Sequence, residues 1–125
     1  MKSSGTRPEL LVRKLVFALG YRYRLQKPKL PGQPDLIFPG RKKVIFVHGC
    51  FWHAHFWLSH GCPIAREPKG KYWETKLRAN QERDNRVIGL LRNAGWESLV
   101  IWECELSDTV FIREKLAHFL DPIRI

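Results

Sequence analysis

Between positions 48 and 62 the chain reads His48-Gly49-Cys50-Phe51-Trp52-His53-Ala54-His55 and then His60-Gly61-Cys62. Most of the chain's histidines and two of its three cysteines fall in this stretch; the third cysteine is Cys104. Tetrahedral zinc takes thiolate sulfur and imidazole nitrogen, with four protein ligands in a structural site. Cys50, Cys62 and Cys104 with one imidazole make such a set. His55 and His60 compete for the fourth place, with His55 preferred. Cys104 follows an apolar run and can clip the histidine-rich loop onto the body of the fold, a large gain for a small chain. The plainer reading is three buried free thiols and scattered histidines. An odd cysteine count without a secretion signal argues against a disulfide framework.

A second constellation is Pro34-Asp35, followed after ten residues by a run ending at His48. A carboxylate at a strand start can hold Mg²⁺ against a phosphodiester while a nearby basic group handles the attacking water. Nucleases of the restriction-enzyme kind place an acid and a lysine on the neighbouring strand. Here Phe46 stands at the acid position and His48 near the lysine position. Pro-Asp by itself is a common turn dipeptide. A third constellation is aromatic: Phe51, Trp52, Trp57 and Trp73 lie in or beside one loop. Exposed aromatics on a basic protein suit stacking on bases or wedging between them. A satellite cluster packed around a metal is the structural alternative.

The polyanionic partner is independently indicated by charge. Lys and Arg number 22 against 12 Asp and Glu, a net charge of +10 with pI near 10. Such an excess in so short a chain points to nucleic acid. A hydrophobic content of 44% is globular rather than disordered. No apolar run approaches a membrane span, and the polar N-terminus has no signal-peptide core, so a cytoplasmic location is expected. Length and the lack of an internal linker predict one domain over residues 1–125.

The elements that must position these residues follow from caps and periodicity. Thr6-Arg7-Pro8-Glu9 is a capping box, which explains Glu9 structurally. Leu11, Leu15, Ala18 and Leu19 continue it as a helical stripe, ended by Gly20. A short strand is expected at 21–25 and a loop at 28–34. Residues 35–38 and 44–47 read as strands joined by a turn at 39–41, the second apolar on both faces and therefore central. Residues 48–71 form a long non-periodic loop. A helix is expected over 72–94 with the stripe Val87, Leu90, Leu91 and Ala94, closed by Gly95. Leu99-Val100-Ile101-Trp102 is a buried strand, and Ser107 or Asp108 caps a last helix reaching Leu120. The order predicts an α/β or α+β fold with helices on a small mixed sheet. Asp84, within the charged run Glu82-Arg83-Asp84, reads as a solvated helix residue.

Leu30-Pro31-Gly32-Gln33-Pro34-Asp35, Val44 through His53, and Val100-Ile101-Trp102-Glu103-Cys104 closely resemble the very-short-patch repair (Vsr) endonucleases. The likeness runs from about Gly5 to Leu106. It implies a restriction-endonuclease-like α/β fold with a degenerate Pro-Asp motif, a structural Zn²⁺ and a catalytic Mg²⁺. It implies nicking 5′ to the thymine of a T·G mismatch left by deamination of 5-methylcytosine in double-stranded DNA. Carried over residue by residue, Asp35 matches the Mg²⁺ ligand, and Val47 stands where a backbone carbonyl faces that ion. His48 and His53 match active-site histidines, and Glu9 a carboxylate near the metal waters. Cys50, His55, Cys62 and Cys104 match the zinc ligands. Phe51, Trp52 and Trp73 match aromatics that intercalate beside the mismatch. Asp84 falls where an acid can orient a histidine. A monomer is expected, with mismatch-repair proteins as further partners. Family members carry a DNA-clamping N-terminal arm before the segment matching Gly5; with only Met1 to Ser4 ahead of it, that arm is expected to be missing. Residues 56–59 lengthen the usual spacing from His55 to Cys62, which keeps His60 a ligand candidate. Two rival functions remain: a zinc-stapled DNA-binding module without catalysis, and a nuclease of the same fold with another DNA specificity. An enzyme needs Asp35 and a divalent ion; a binding module needs neither.

Overall fold

A computed structural model describes residues 6–58, Cys62, Glu67 and 69–121. His60, the alternative zinc ligand, lies outside the described residues. The elements run α1 (Arg7–Ala18), β1 (Leu36–Phe38), a 3-10 turn (Pro39–Arg41), β2 (Lys43–His48), α2 (His55–Leu58), α3 (Lys71–Asn93), β3 (Glu97–Trp102), a second 3-10 turn (Glu103–Ser107) and α4 (Thr109–Leu120). The sheet order is β1-β2-β3, with β1 antiparallel and β3 parallel to the central β2. This is the small mixed sheet expected, with the apolar strand in the middle.

Period-two alternation divides the side chains between two faces. Leu36, Phe38, Ile45 and Ile101 meet Val12, Leu15 and Val16 of α1 and Ile112, Leu116 and Leu120 of α4. Ile37, Val44 and Phe46 face the other way, onto Leu91 of α3 and Trp96. Both faces are therefore covered, which is why β2 carries no polar face. His48 has the parity of Val44 and Phe46 and is delivered to the α3 side. Arg41 and Lys43 secure α4 by donating to the carbonyls of Leu120 and Phe119 at its C-terminal end, where the helix dipole favours cations. Asp108 caps α4 by accepting from the Phe111 N–H at 3.1 Å.

Four local expectations are corrected. The region 21–25 is not a strand: only Arg24 pairs, in an isolated bridge to Ile37, and Gln26 turns to φ 61°. Tyr21 and Tyr23 pack on the core, but Arg22, Arg24 and Leu25 are exposed, and the turn at Gln26 ends the pairing after one bridge. In α1 the buried positions are Glu9, Val12, Leu15 and Val16, while Ala18 is exposed. The helix is rotated so that its capping residue faces inward. In α3, Leu91 is buried but Leu90 and Ala94 are exposed; Leu77, two turns from the helix start, takes the other buried place. This helix touches the sheet chiefly through its C-terminal part, so a continuous apolar stripe is not needed. The loop after His48 also holds a helical turn, α2. Among the described residues no helix is long and apolar enough to cross a membrane.

Candidate active site and metal centre

Asp35 stands just ahead of β1, and its Oδ2 accepts from the Val47 N–H at 2.6 Å. Glu9, 3% exposed, reaches it from α1 within hydrogen-bonding distance, and Arg13 pairs with Glu9 at 3.1 Å. Burial pushes the Asp35 carboxyl up to about 7, and the neighbouring Glu9 adds to the rise, against the lowering effect of the Val47 N–H. A buried and a half-buried carboxyl group in contact must share a proton or a cation, which is the donor chemistry a hard divalent ion requires. Glu9 is thus more than a cap residue, although Thr6 does accept from its N–H at 3.5 Å.

In one cleft with Asp35, at the end of β2, His48 and His53 stack face to face, with ring centroids 3.7 Å apart and planes 1° apart. Burial, reinforced by charge on His53, lowers His48 to about 4, so this ring is neutral. Its Nδ1 is buried and, among the described residues, has no hydrogen-bond partner. His53 Nδ1 lies 2.6 Å from Asp84 Oδ2 on α3. The solvated reading of Asp84 is therefore wrong: it is 18% exposed and holds a histidine. Ligand atoms of His48, His53 and Asp84 lie within 4.8 Å of one another. Stacked rings cannot both aim in-plane lone pairs at one ion, so this trio suits proton handling rather than ligation. Asp35, Val47, His48, His53 and Asp84 line one open cleft of about 550 Å³.

Beyond the β3 end lies the sulfur cluster. Ligand atoms of Cys50, His55, Cys62 and Cys104 all fall within 4.8 Å of one another. The Cys104 N–H donates to Cys50 Sγ at 3.3 Å, and Cys104 Sγ lies 3.6 Å from His55 Nδ1. A tetrahedral zinc with Zn–S near 2.3 Å and Zn–N near 2.0–2.1 Å gives an S–N edge of about 3.6 Å. The donor set fits. Burial raises both the Cys50 and the Cys104 thiols, with Cys62 adding to the rise in each; without a cation these two stay protonated. His55 is lowered by burial, which leaves a neutral nitrogen available. Trp102 joins the two centres: it stacks on His55 at 4.0 Å and meets His48 edge-on at 5.3 Å. The parallel register that pairs His48 with Trp102 puts it there.

Comparison with known proteins agrees with this geometry. A family model described as DNA mismatch endonuclease Vsr matches residues 1–59. The chain is 38% identical over 119 residues to the DNA mismatch endonuclease Vsr of Escherichia coli K12, covering 93% of this chain and 72% of that protein. The chain belongs to the Vsr endonuclease family. It is also 47% identical over 124 residues to the type II nicking enzyme V.XorIIP of Xanthomonas oryzae pv. oryzae, covering 98% and 88% of the two chains. A second nicking enzyme, V.NmeAIP of Neisseria meningitidis serogroup A, is 37% identical over 98% of this chain and 85% of its own.

In this Vsr-family endonuclease the three wedge candidates form one cluster. Phe51, Trp52 and Trp73 meet edge to face with centroids 5.4, 5.5 and 5.7 Å apart, all half-buried. Lys76 Nζ sits 5.8 Å from the rings of both tryptophans. Trp57 instead lies under Arg78, at 4.8 Å. Sequence reasoning missed Asn80, whose side chain donates to the Trp52 carbonyl at 3.0 Å, and Trp102 as the link between centres. The helical spacing of Lys76, Asn80 and Asp84, one turn apart on a single face, was the signal for α3.

Proposed function

We propose that this endonuclease nicks one strand of double-stranded DNA 5′ to the thymine of a T·G mismatch arising from 5-methylcytosine deamination, with Mg²⁺ at Asp35. The observation that carries the reading is the convergence of Asp35, His48, His53 and Asp84 on one cleft beside the aromatic cluster. Asp35, with the Val47 backbone and Glu9 nearby, would hold Mg²⁺, which when bound supplies Lewis-acid stabilisation of the phosphate. Asp84 fixes His53 through Nδ1 and so leaves Nε2 to take the proton of an attacking water. The water oxygen bonds to phosphorus, one P–O ester bond breaks, and the departing oxygen is protonated. Neutral His48 packs against His53 and holds its plane. Cys50, His55, Cys62 and Cys104 would hold a structural Zn²⁺ that anchors the loop carrying His53.

Phe51, Trp52 and Trp73 are the candidate wedges. A T·G wobble pair stacks poorly and opens readily, so insertion beside it costs less than beside a Watson–Crick pair, and deformability becomes selectivity. The fold is then a restriction-endonuclease-like single domain with the second carboxylate of the usual motif lost to Phe46. The protein acts as a cytoplasmic monomer that hands its nick to repair enzymes. In the deciding assay, zinc-loaded protein is incubated with T·G and matched duplexes, with and without Mg²⁺. We expect nicks only in the T·G strand, only with Mg²⁺, and a loss of at least about 100-fold for Asp35→Ala with duplex binding retained. Equal nicking of both duplexes would refute the mismatch reading, and an active Asp35→Ala would refute the metal assignment.

A further inference from the structure

We propose that Arg83 is the phosphate-anchoring cation of this site, gripping a non-bridging oxygen of the scissile phosphodiester. The inference rests on the nuclease reading above and adds a residue to it. Two clefts open onto the site, one between β2 and α3 and one beneath the aromatic cluster. They share four residues: Asp35, Val47, His53 and Arg83. A phosphodiester lying across Asp35 and His53 passes from one cleft to the other, and Arg83 is the shared cation. Lys76 lines only the second cleft and lies over the tryptophan rings.

The chemistry of the site calls for such a group. Attack on a phosphodiester builds charge on the non-bridging oxygens, and a fixed cation or donor there contributes heavily to rate. Beside the cleft β2 offers none: Phe46 is apolar and buried, and His48 is buried against the face of His53. Arg83 is exposed, and among the described residues it makes no hydrogen bond or ion pair, so its five donors are available. It follows in chain order directly before Asp84, so the turn of α3 that orients His53 also carries Arg83. A guanidinium can hold two phosphate oxygens at once, which fixes the phosphorus in line with the water on His53.

The test uses the full zinc-loaded chain, with melting temperature and zinc content confirmed unchanged for each variant. Arg83→Gln should lower the single-turnover nicking rate about 100-fold or more, with duplex affinity falling less than about tenfold. Arg83→Lys, which keeps charge but loses the fork, should fall between. A second arm measures binding, without added divalent ion, to duplexes whose scissile phosphate is a neutral methylphosphonate. Wild type should lose about five- to tenfold in affinity, as Arg83→Gln does on the unmodified duplex, and Arg83→Gln no more than about twofold further, because the lost contact is the same one. Equal methylphosphonate losses in the two proteins, or nicking by Arg83→Gln within about threefold of wild type, overturn the assignment. The nicking arm runs on whichever duplex the wild type cuts, and the binding arm needs no cutting. A matched-duplex preference would therefore sink the mismatch reading while leaving the Arg83 comparison decisive.

Discussion

Asp35 combines burial, a backbone donor and a second carboxyl in one place. Its ordinary value of 3.8 is raised to about 7 by burial first and Glu9 beside it. In metal-free protein the folded state therefore holds a proton that the unfolded chain has already lost. Between those two values the folded state binds more protons, so the stabilisation from this group is complete below about pH 4 and is lost as pH rises through 7. A divalent ion at Asp35 must displace that proton. Mg²⁺ affinity should therefore climb with pH by up to about tenfold per unit until about pH 7 and then level off, one proton being released per ion. Calorimetric titration in two buffers of different ionisation enthalpy measures both. An affinity flat across about pH 5.5 to 7.5 would show that Asp35 does not bind the ion.

At the scale of elements, the cleft exists because the loop before β1 stops against α3. Gly32 has φ +75° there, and a Cβ added to it would meet Val87 Cγ1 at 2.3 Å and Cγ2 at 3.1 Å. Val87 is a stiff β-branched side chain on a helix and cannot step aside. Gly32→Ala should therefore cost about 1–3 kcal/mol and shift the cleft wall that carries Gln33 and, two residues on, Asp35. Gly89, two residues further along α3 than Val87, has nothing within 4 Å of an added Cβ. Gly89→Ala should instead stabilise by about 0.5–1 kcal/mol through helix propensity. Thermal melts of the two variants should move in opposite directions; a Gly32→Ala protein that melts with the wild type would mean the loop does not bear on α3. Gly32 was visible in the sequence only as a loop glycine. Its contact partner lies 55 positions away, beyond what turn chemistry can report.

At the scale of the molecule, the three strands and four helices of the described residues make a thin core, and the sulfur cluster closes it at one end. Cys50 and Cys104 are more than 50 positions apart and follow the ends of the parallel strands β2 and β3, so a metal held between them ties the loop to the sheet. Purified protein should carry one Zn²⁺ per chain, and stripping it with a strong chelator should melt the domain or lower its melting temperature steeply, because metal affinity is coupled to folding. Metal analysis and circular dichroism before and after chelation decide this; an unchanged melt after complete zinc removal would make the cluster a mere set of buried thiols. The charge of +10 acts at the same scale, drawing the chain to duplex DNA of any sequence with a steep salt dependence.

Composition and periodicity made the sheet, the central strand and the basic balance of the chain legible, and residue type together with the family resemblance named Cys50, His55, Cys62, Cys104 and Asp35 as candidates, the first four of which the structure brings together. Those features depend on residue type and on spacings of two or three to four, which local physics decides. The partners of those residues did not depend on spacing. Asp84 looked solvated inside Glu82-Arg83-Asp84, and Glu9 looked like a cap. Which of their faces points inward is set by the rotation of α1 and α3, and that rotation is set by Val12, Val16, Val87 and Leu91 packing on opposite faces of the sheet. A helix presents every direction in turn, and only burial against a neighbour distant in sequence selects one. For that reason the pairing of His53 with Asp84, the contact of Glu9 with Asp35 and the position of Arg83 between the two clefts belong to the tertiary structure alone.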